Sequence, residues 1–336
     1  MDGLAELHTH LGASVASEIM WSLAHEQGIA LPVKDYWEFD GLVTIADPRR
    51  VDSLDALNQI YHWTELIQSS PLAVERSVHA AIGGAYRSQH ITTLELRFNP
   101  MKRNRGGERD LDHIIMAASR GLDRASLEYP HVRAGLILMM DRTFDERQNA
   151  IIVEKAIRYG SRGVVCIDIA GPRPDGGPYP YRELAPLIEE ARAAGLGVTI
   201  HVGEEGEEHG DAEIGEVIEH LRPDRIGHGI LAARNPELMA DLREREIVLE
   251  VCPTSNLLTR ALPSEEAVRE TFRSFVDNRV PFTIATDGPE MMRTHLRDEF
   301  DLLRRIGALD EDELAEANRR GHEASFIAPV GQRVAG

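Results

Sequence analysis

Apolar positions along the chain fall into two patterns. Short runs rich in Val, Ile, Leu and Phe, without a helical period, lie at residues 4–10, 91–98, 132–140, 163–169, 198–202, 225–228, 247–251 and 282–286. They predict buried strands. Between them, apolar residues recur every three or four positions at 17–27, 55–69, 72–88, 111–128, 144–159, 181–194, 214–221, 236–245, 265–278, 295–306 and 311–326, which predicts amphipathic helices. Residues 32–54 carry aromatics, Pro48 and little period, so 29–70 reads as a helical insertion after the first strand. Strand followed by helix, repeated to the end, predicts an α/β fold: a (β/α)8 barrel of the TIM type. It has extra helices after strand one and at the C-terminus, and residues 1–336 form one domain. A doubly wound sheet would alternate in the same way. The polar residues gather at the strand ends, however, where barrel enzymes keep their chemistry, and this favours the barrel.

Composition narrows the partners. The formal charge is −19, from 37 basic and 56 acidic residues. A nucleic-acid backbone is therefore not an expected partner, because basic patches drive that binding. The acidity suits a soluble protein, and a cytoplasmic location is expected. No apolar stretch approaches the length of a membrane span, and Met1 to Glu6 show no basic region of a signal peptide. Cys166 and Cys252 lie inside apolar runs and are expected to be buried free thiols in a reducing compartment. The loop-like run 173–178 follows the fourth strand and reads equally as a substrate loop or an exposed connection.

The strand ends carry the candidate chemistry. His8 and His10 stand two apart on a strand and so share a face. His201 ends the fifth strand and Asp287 follows the eighth. Three imidazoles and a carboxylate suit a zinc-type divalent ion with a position left for water. Such an ion makes hydroxide available near neutral pH, and its attack needs a group to manage protons. Glu204, three residues past His201, is one candidate. His228, between Gly227 and Gly229 at the end of the sixth strand, is another. Glu205, Glu207 and Glu208 read as a solvated charge run.

These pieces together resemble the adenosine deaminases of the amidohydrolase superfamily. The matching segments are His8-Thr9-His10-Leu11, Leu94 to Pro100, Ile167 to Gly171, His201-Val202-Gly203-Glu204, Arg225 to Gly229, Cys252 to Asn256 and Thr286-Asp287-Gly288-Pro289. The resemblance implies that His8, His10, His201 and Asp287 bind one zinc ion per chain. It implies that Glu204 protonates the purine N1, and that His228, assisted by Asp287, orients and helps to deprotonate the attacking water. The backbone amide of Gly171 would contact N3.

Two departures bear on the substrate. The family commonly has an acid after His-x-His-Leu that helps hold a sugar 5′-hydroxyl, and here the residue is Gly12. It commonly has a second Asp after the metal Asp, donating to purine N7, and here the residue is Gly288. Both changes remove a polar anchor and are expected to open space. Glu290 could reach in as a substitute, or be solvated. The expected substrate is a small molecule, a 6-aminopurine nucleoside: adenosine, or a 5′-substituted adenosine such as 6-aminodeoxyfutalosine. Another cyclic amidine, such as adenine or a pterin, and a non-catalytic zinc- or nucleoside-binding protein are the alternatives.

Overall fold

The computed structural model describes residues 3–45, 54–104, 109–172, 179–204 and 210–327. Parallel strands β1 (Leu4–His10), β2 (Ile91–Phe98), β3 (Arg133–Asp141), β4 (Val164–Ala170), β5 (Gly197–Val202), β6 (Arg225–His228), β7 (Val248–Val251) and β8 (Phe282–Ile284) pair in chain order. The predicted final strand, 282–286, is cut short at Ile284. The backbone of Asp287 closes the ring instead: it pairs with Thr9, accepts from His10 N (2.9 Å) and donates to the His8 carbonyl (2.9 Å). This is the TIM barrel expected from the pattern.

Helices α1 (Ser17–Glu26), α2 (Tyr36–Val43), α3 (Leu54–Ile67) and α4 (Pro71–Gln89) lie between β1 and β2. Pro71 opens α4 and Ser70 caps it through Ala73 N, so the chain breaks where Pro tolerates a missing N–H. The outer helices are α5 (Leu111–Glu128), α6 (Glu146–Arg158), α7 (Ala185–Ala193), α8 (Gly210–His220), α9 (Pro236–Glu244), α10 (Pro253–Leu258), α11 (Glu265–Asp277), α12 (Pro289–Met292), α13 (Leu296–Arg305) and α14 (Glu311–Glu323). The predicted helix 181–194 is split: Tyr181–Leu184 forms a tighter 3-10 turn, and α7 follows with a proline in its first turn. Cys252 caps α10, and Pro253 to Asn256 form its first turn. Among the described residues, no helix is long and apolar enough to cross a membrane. Cys166 and Cys252 are free and buried, as expected.

The strands bury both faces. Outside, aliphatic residues pack on the helices; inside, the filling is charged. Glu95, Arg97, Asp168, His201, Arg225 and Glu250 are all at or near full burial. Buried charges survive only where they are paired and hydrogen-bonded. Arg225 donates to Glu250 Oε1 (2.6 Å) and Glu95 Oε2 (2.5 Å), and its guanidinium stacks on Phe326, 4.0 Å from the ring centroid. Glu95 also accepts from Ser325 Oγ (2.8 Å) and Phe326 N (2.7 Å), so the segment after α14 seals the N-terminal end of the barrel. The C-terminal end stays open.

Candidate active site

His8, His10, His201 and Asp287 meet at that open end. His10 Nε2 lies 3.2 Å from His201 Nε2 and 3.3 Å from Asp287 Oδ1, and His8 Nε2 lies 3.9 Å from Asp287 Oδ1. The edge of a tetrahedron around an ion with bonds of about 2.0–2.1 Å is about 3.3 Å, so these spacings suit a zinc-type ion. His8 Nε2 is buried and, among the described residues, has no hydrogen-bond partner. Burial, helped by Arg97 and His201, pushes His8 well below the usual histidine range. His10 is pushed down in the same way by burial and by the neighbouring His201 and His8. Both are therefore neutral at pH 7, the form that offers a lone pair to a cation. The residues present fit a bound divalent metal ion.

The far nitrogens are held from below. His8 Nδ1 meets Glu250 Oε2 (2.7 Å), and His201 Nδ1 meets Asp168 (2.9 Å to Oδ2). Arg97 joins the two carboxylates, reaching Asp168 Oδ2 (2.9 Å), Glu250 Oε2 (2.7 Å) and the Leu7 carbonyl (2.8 Å). Burial opposes ionisation of Glu250, but Arg97 and Arg225 hold its carboxyl well below the usual range. Carboxylates behind histidines in this way fix the ring tautomer and orientation. Gly227 lets the rings pack: a Cβ there would lie 2.9 Å from His8 Cε1.

Two of these residues hold unusual backbone. His228 (φ 61°) and Asp287 (φ 64°) are both left-handed without being glycine. Such residues cost of order 1–3 kcal/mol each and persist where surrounding bonds over-determine them. For Asp287 those bonds are the two to β1 and the Ser255 hydroxyl, which donates to Oδ2 at 2.6 Å. Glu204 Oε2 lies 3.1 Å from His228 Nε2. The Asn256 side-chain amide lies 3.1 Å from His228 Nδ1, and its orientation decides which ring nitrogen carries the proton.

A cavity of about 260 Å³ opens over this cluster. Its wall includes His10, His201, Glu204, Asp287, Gly12 and Gly171. Gly171 has φ 93°, and a Cβ on it would stand 2.8 Å from Asp141 Oδ2, so only glycine brings backbone to the wall there. Gly288 is not part of the described wall. The expectation that Gly12 and Gly288 open space is corrected. A Cβ on Gly12 would meet Thr64 Oγ1 and Tyr61 Cδ1, each at 3.1 Å, and Arg103 Nη2 at 3.3 Å. One on Gly288 would meet Ala13 Cβ at 2.7 Å. Neighbouring side chains have filled both places. Run 173–178 and Glu205, Glu207 and Glu208 lie outside the described residues.

The pattern of strand-end histidines missed Arg97, Asp168, Glu250, Ser255, Asn256 and Arg142. A signal was present for three of them. Arg97, Asp168 and Glu250 each interrupt an otherwise apolar strand, and a charge inside such a run must have a partner.

The profile of the adenosine deaminase family matches residues 3–334. The chain belongs to the adenosine deaminase family. It is 28% identical to the adenosine deaminase of Shewanella denitrificans over 325 residues, covering 97% of this chain and 94% of that one. It is 29% identical to that of Shewanella loihica over 327 residues, covering 97% and 94%. Among solved structures it superposes on an adenine deaminase from Arthrobacter aurescens with a TM-score of 0.84 at 21% identity, covering 99% and 96% of the two chains. An Arabidopsis N6-mAMP deaminase gives 0.81 at 23% identity, covering 98% and 95%. Membership of the adenosine deaminase family makes this chain a hydrolytic deaminase acting on a small molecule.

Proposed function

We propose that this chain is a zinc-dependent aminohydrolase that converts a 6-aminopurine nucleoside, either adenosine or a 5′-substituted adenosine such as 6-aminodeoxyfutalosine, to the 6-oxo product and ammonia. The observation that carries this reading is the convergence of His8, His10, His201 and Asp287 beside the Glu204–His228 pair, at one end of one cavity. The first four residues would hold the zinc ion, one per chain. Bound there, zinc would supply the Lewis acidity that lowers the pKa of a water from 15.7 to roughly 7. Support for zinc over other metals comes from the imidazole-rich donor set.

The remaining steps belong to side chains. Glu204 delivers a proton to N1 and withdraws electron density from C6. His228 and Asp287 orient the attacking water and take its proton. Water adds at C6; the proton taken from it passes to the 6-amino group, which leaves as ammonia as the C6–N bond breaks, and the C6 hydroxyl proton returns to Glu204 as the 6-oxo group forms. Gly171 offers its amide to N3. Proton transfers of this kind contribute about 10²–10⁴-fold. Gly12 offers no carboxylate to a 5′-hydroxyl, so a substrate lacking that hydroxyl would leave no buried acid unpaired.

Steady-state kinetics on adenosine, adenine and 5′-substituted adenosines test the substrate, and metal analysis of the purified chain tests the ion. A 5′-substituted adenosine is expected to match or exceed adenosine in kcat/KM, with one zinc per chain. A large preference for adenosine over every 5′-substituted analogue would limit the substrate to adenosine itself.

A further inference from the structure

Arg142 follows the last residue of β3 and is 5% exposed. Its guanidinium gathers the ends of three strands. Nη1 donates to the Gly171 carbonyl just past β4 (2.5 Å), Nη2 donates to the His201 carbonyl on β5, and Nε donates to the Tyr181 hydroxyl (3.2 Å). The Arg142 amide adds a bond to the Ala170 carbonyl (3.0 Å). Nη1 also stands 3.8 Å from Glu204 Oε1, while the other Glu204 oxygen faces His228. Burial works against its charge, but Tyr181 and Glu204 favour the cation, so Arg142 stays ionised.

We propose that Arg142 is a positioning residue for Glu204, fixing the carboxyl in line with His228 while locking the Gly171 and His201 backbones that border it. The inference rests on the deaminase reading of Glu204. A planar fork of donors can serve two carbonyls, a hydroxyl and a carboxylate at once; a lysine ammonium is a point charge on a flexible stem and cannot. Glu204 is 14% exposed, and Arg142 and His228 stand at its two carboxylate oxygens. Misplacing a reacting group by about 1 Å can reduce rate about 10²-fold. Arg142 touches no reacting atom in this account, and its removal should act on kcat and spare KM.

The test is R142A and R142K on the full-length, metal-loaded enzyme. R142A is expected to lose about 100-fold in kcat with KM held within about threefold. Millimolar guanidinium ion is expected to restore at least about tenfold of that kcat in R142A and none in E204Q. R142K, which keeps a buried cation and is the fallback if R142A does not fold, is expected to lose about tenfold in kcat. Crystal structures of either variant should show Glu204 away from His228. Wild-type kcat in R142K, a change confined to KM, or a Glu204 that keeps its place beside His228 in the variants would overturn the proposal. Absence of ammonia release by the wild type would instead count against the deaminase reading, and the variant structures would still decide the role of Arg142.

Discussion

Beneath the histidines, Arg97, Asp168 and Glu250 are fully buried, and each touches at least two other charged or ring groups. Across the cavity, the wall is drawn from α3, which brings Leu57, Tyr61, His62 and Glu65, and from the segment after β2, which brings Lys102 and Arg103. Exposure differs sharply: His62 is exposed and Tyr61 partly so, whereas the floor admits no solvent. The floor is built from compensated charge: Arg97 bridges Asp168 and Glu250, and Arg225 adds a second cation to Glu250. The wall is built from the insertion between β1 and β2 and from the segment after β2, and it meets the histidines where the Tyr61 ring stands edge-on to His10, 5.8 Å between centroids. The floor is expected to govern the reaction, and the wall the choice of molecule.

Perturbing the floor should give the largest effects. E250A leaves Arg97 and Arg225 short of a counter-charge and His8 without its partner. It is expected to destabilise the fold by about 3–5 kcal/mol, read from chemical denaturation. A loss under about 1 kcal/mol would show that the network is not the structural core of the floor. E204Q, by contrast, sits where floor and wall meet. It is expected to lower kcat about 10³-fold while metal content and Tm stay at wild-type values, separating chemistry from architecture.

A third perturbation sets Glu250 against another buried acid. Glu299 is hydrogen-bonded to Thr254 N (3.0 Å) and Thr294 Oγ1 (2.7 Å), and burial pushes it up to about 7. Its folded value lies above its ordinary 4.5, so its contribution to stability is complete below about pH 4.5 and is lost as pH rises through 7. Unfolding measured from pH 5 to 8.5 should show E299Q losing up to about 3 kcal/mol less than wild type over that range. Parallel curves would show that Glu299 ionises freely in the folded protein. The smallest expected effect is D168N, which loosens the ring of His201 without opening a cavity. It should weaken metal affinity about 10–100-fold, measured by chelator competition, and lower Tm by less than E250A does, because Arg97 loses Asp168 but keeps Glu250.

The sequence revealed the residues above the floor better than the floor itself. Strand-like runs alternating with helical periods were enough for the α/β class, because both faces of a parallel strand are buried and its composition shows it; the polar residues at the strand ends favoured the barrel over a doubly wound sheet. His8, His10, His201 and Asp287 stood out because polar residues at strand ends are chemically conspicuous. Asp287 was placed on the eighth strand's line but not in its closing role: the bridge to Thr9 depends on a left-handed backbone that side-chain pattern does not encode. Ser255 and Asn256 fell in a segment singled out only by the family resemblance, since a short α10 opened by Pro253 has too few residues for a period. Gly12 and Gly288 looked like vacated space. Tyr61, Thr64 and Ala13 fill it from segments distant in sequence or on another turn, and no local reading can see such packing.

The most direct test of the central claim follows the oxygen and the nitrogen together. The metal-loaded wild type is incubated with a 6-aminopurine nucleoside in heavy-oxygen water, and product and ammonia are quantified by mass spectrometry and a coupled assay. The expected result is one ammonia per product and one heavy oxygen at C6, both formed about 10³-fold more slowly by E204Q. Turnover of no 6-aminopurine nucleoside by the metal-loaded chain, or a 6-oxo product without the heavy oxygen, would contradict it.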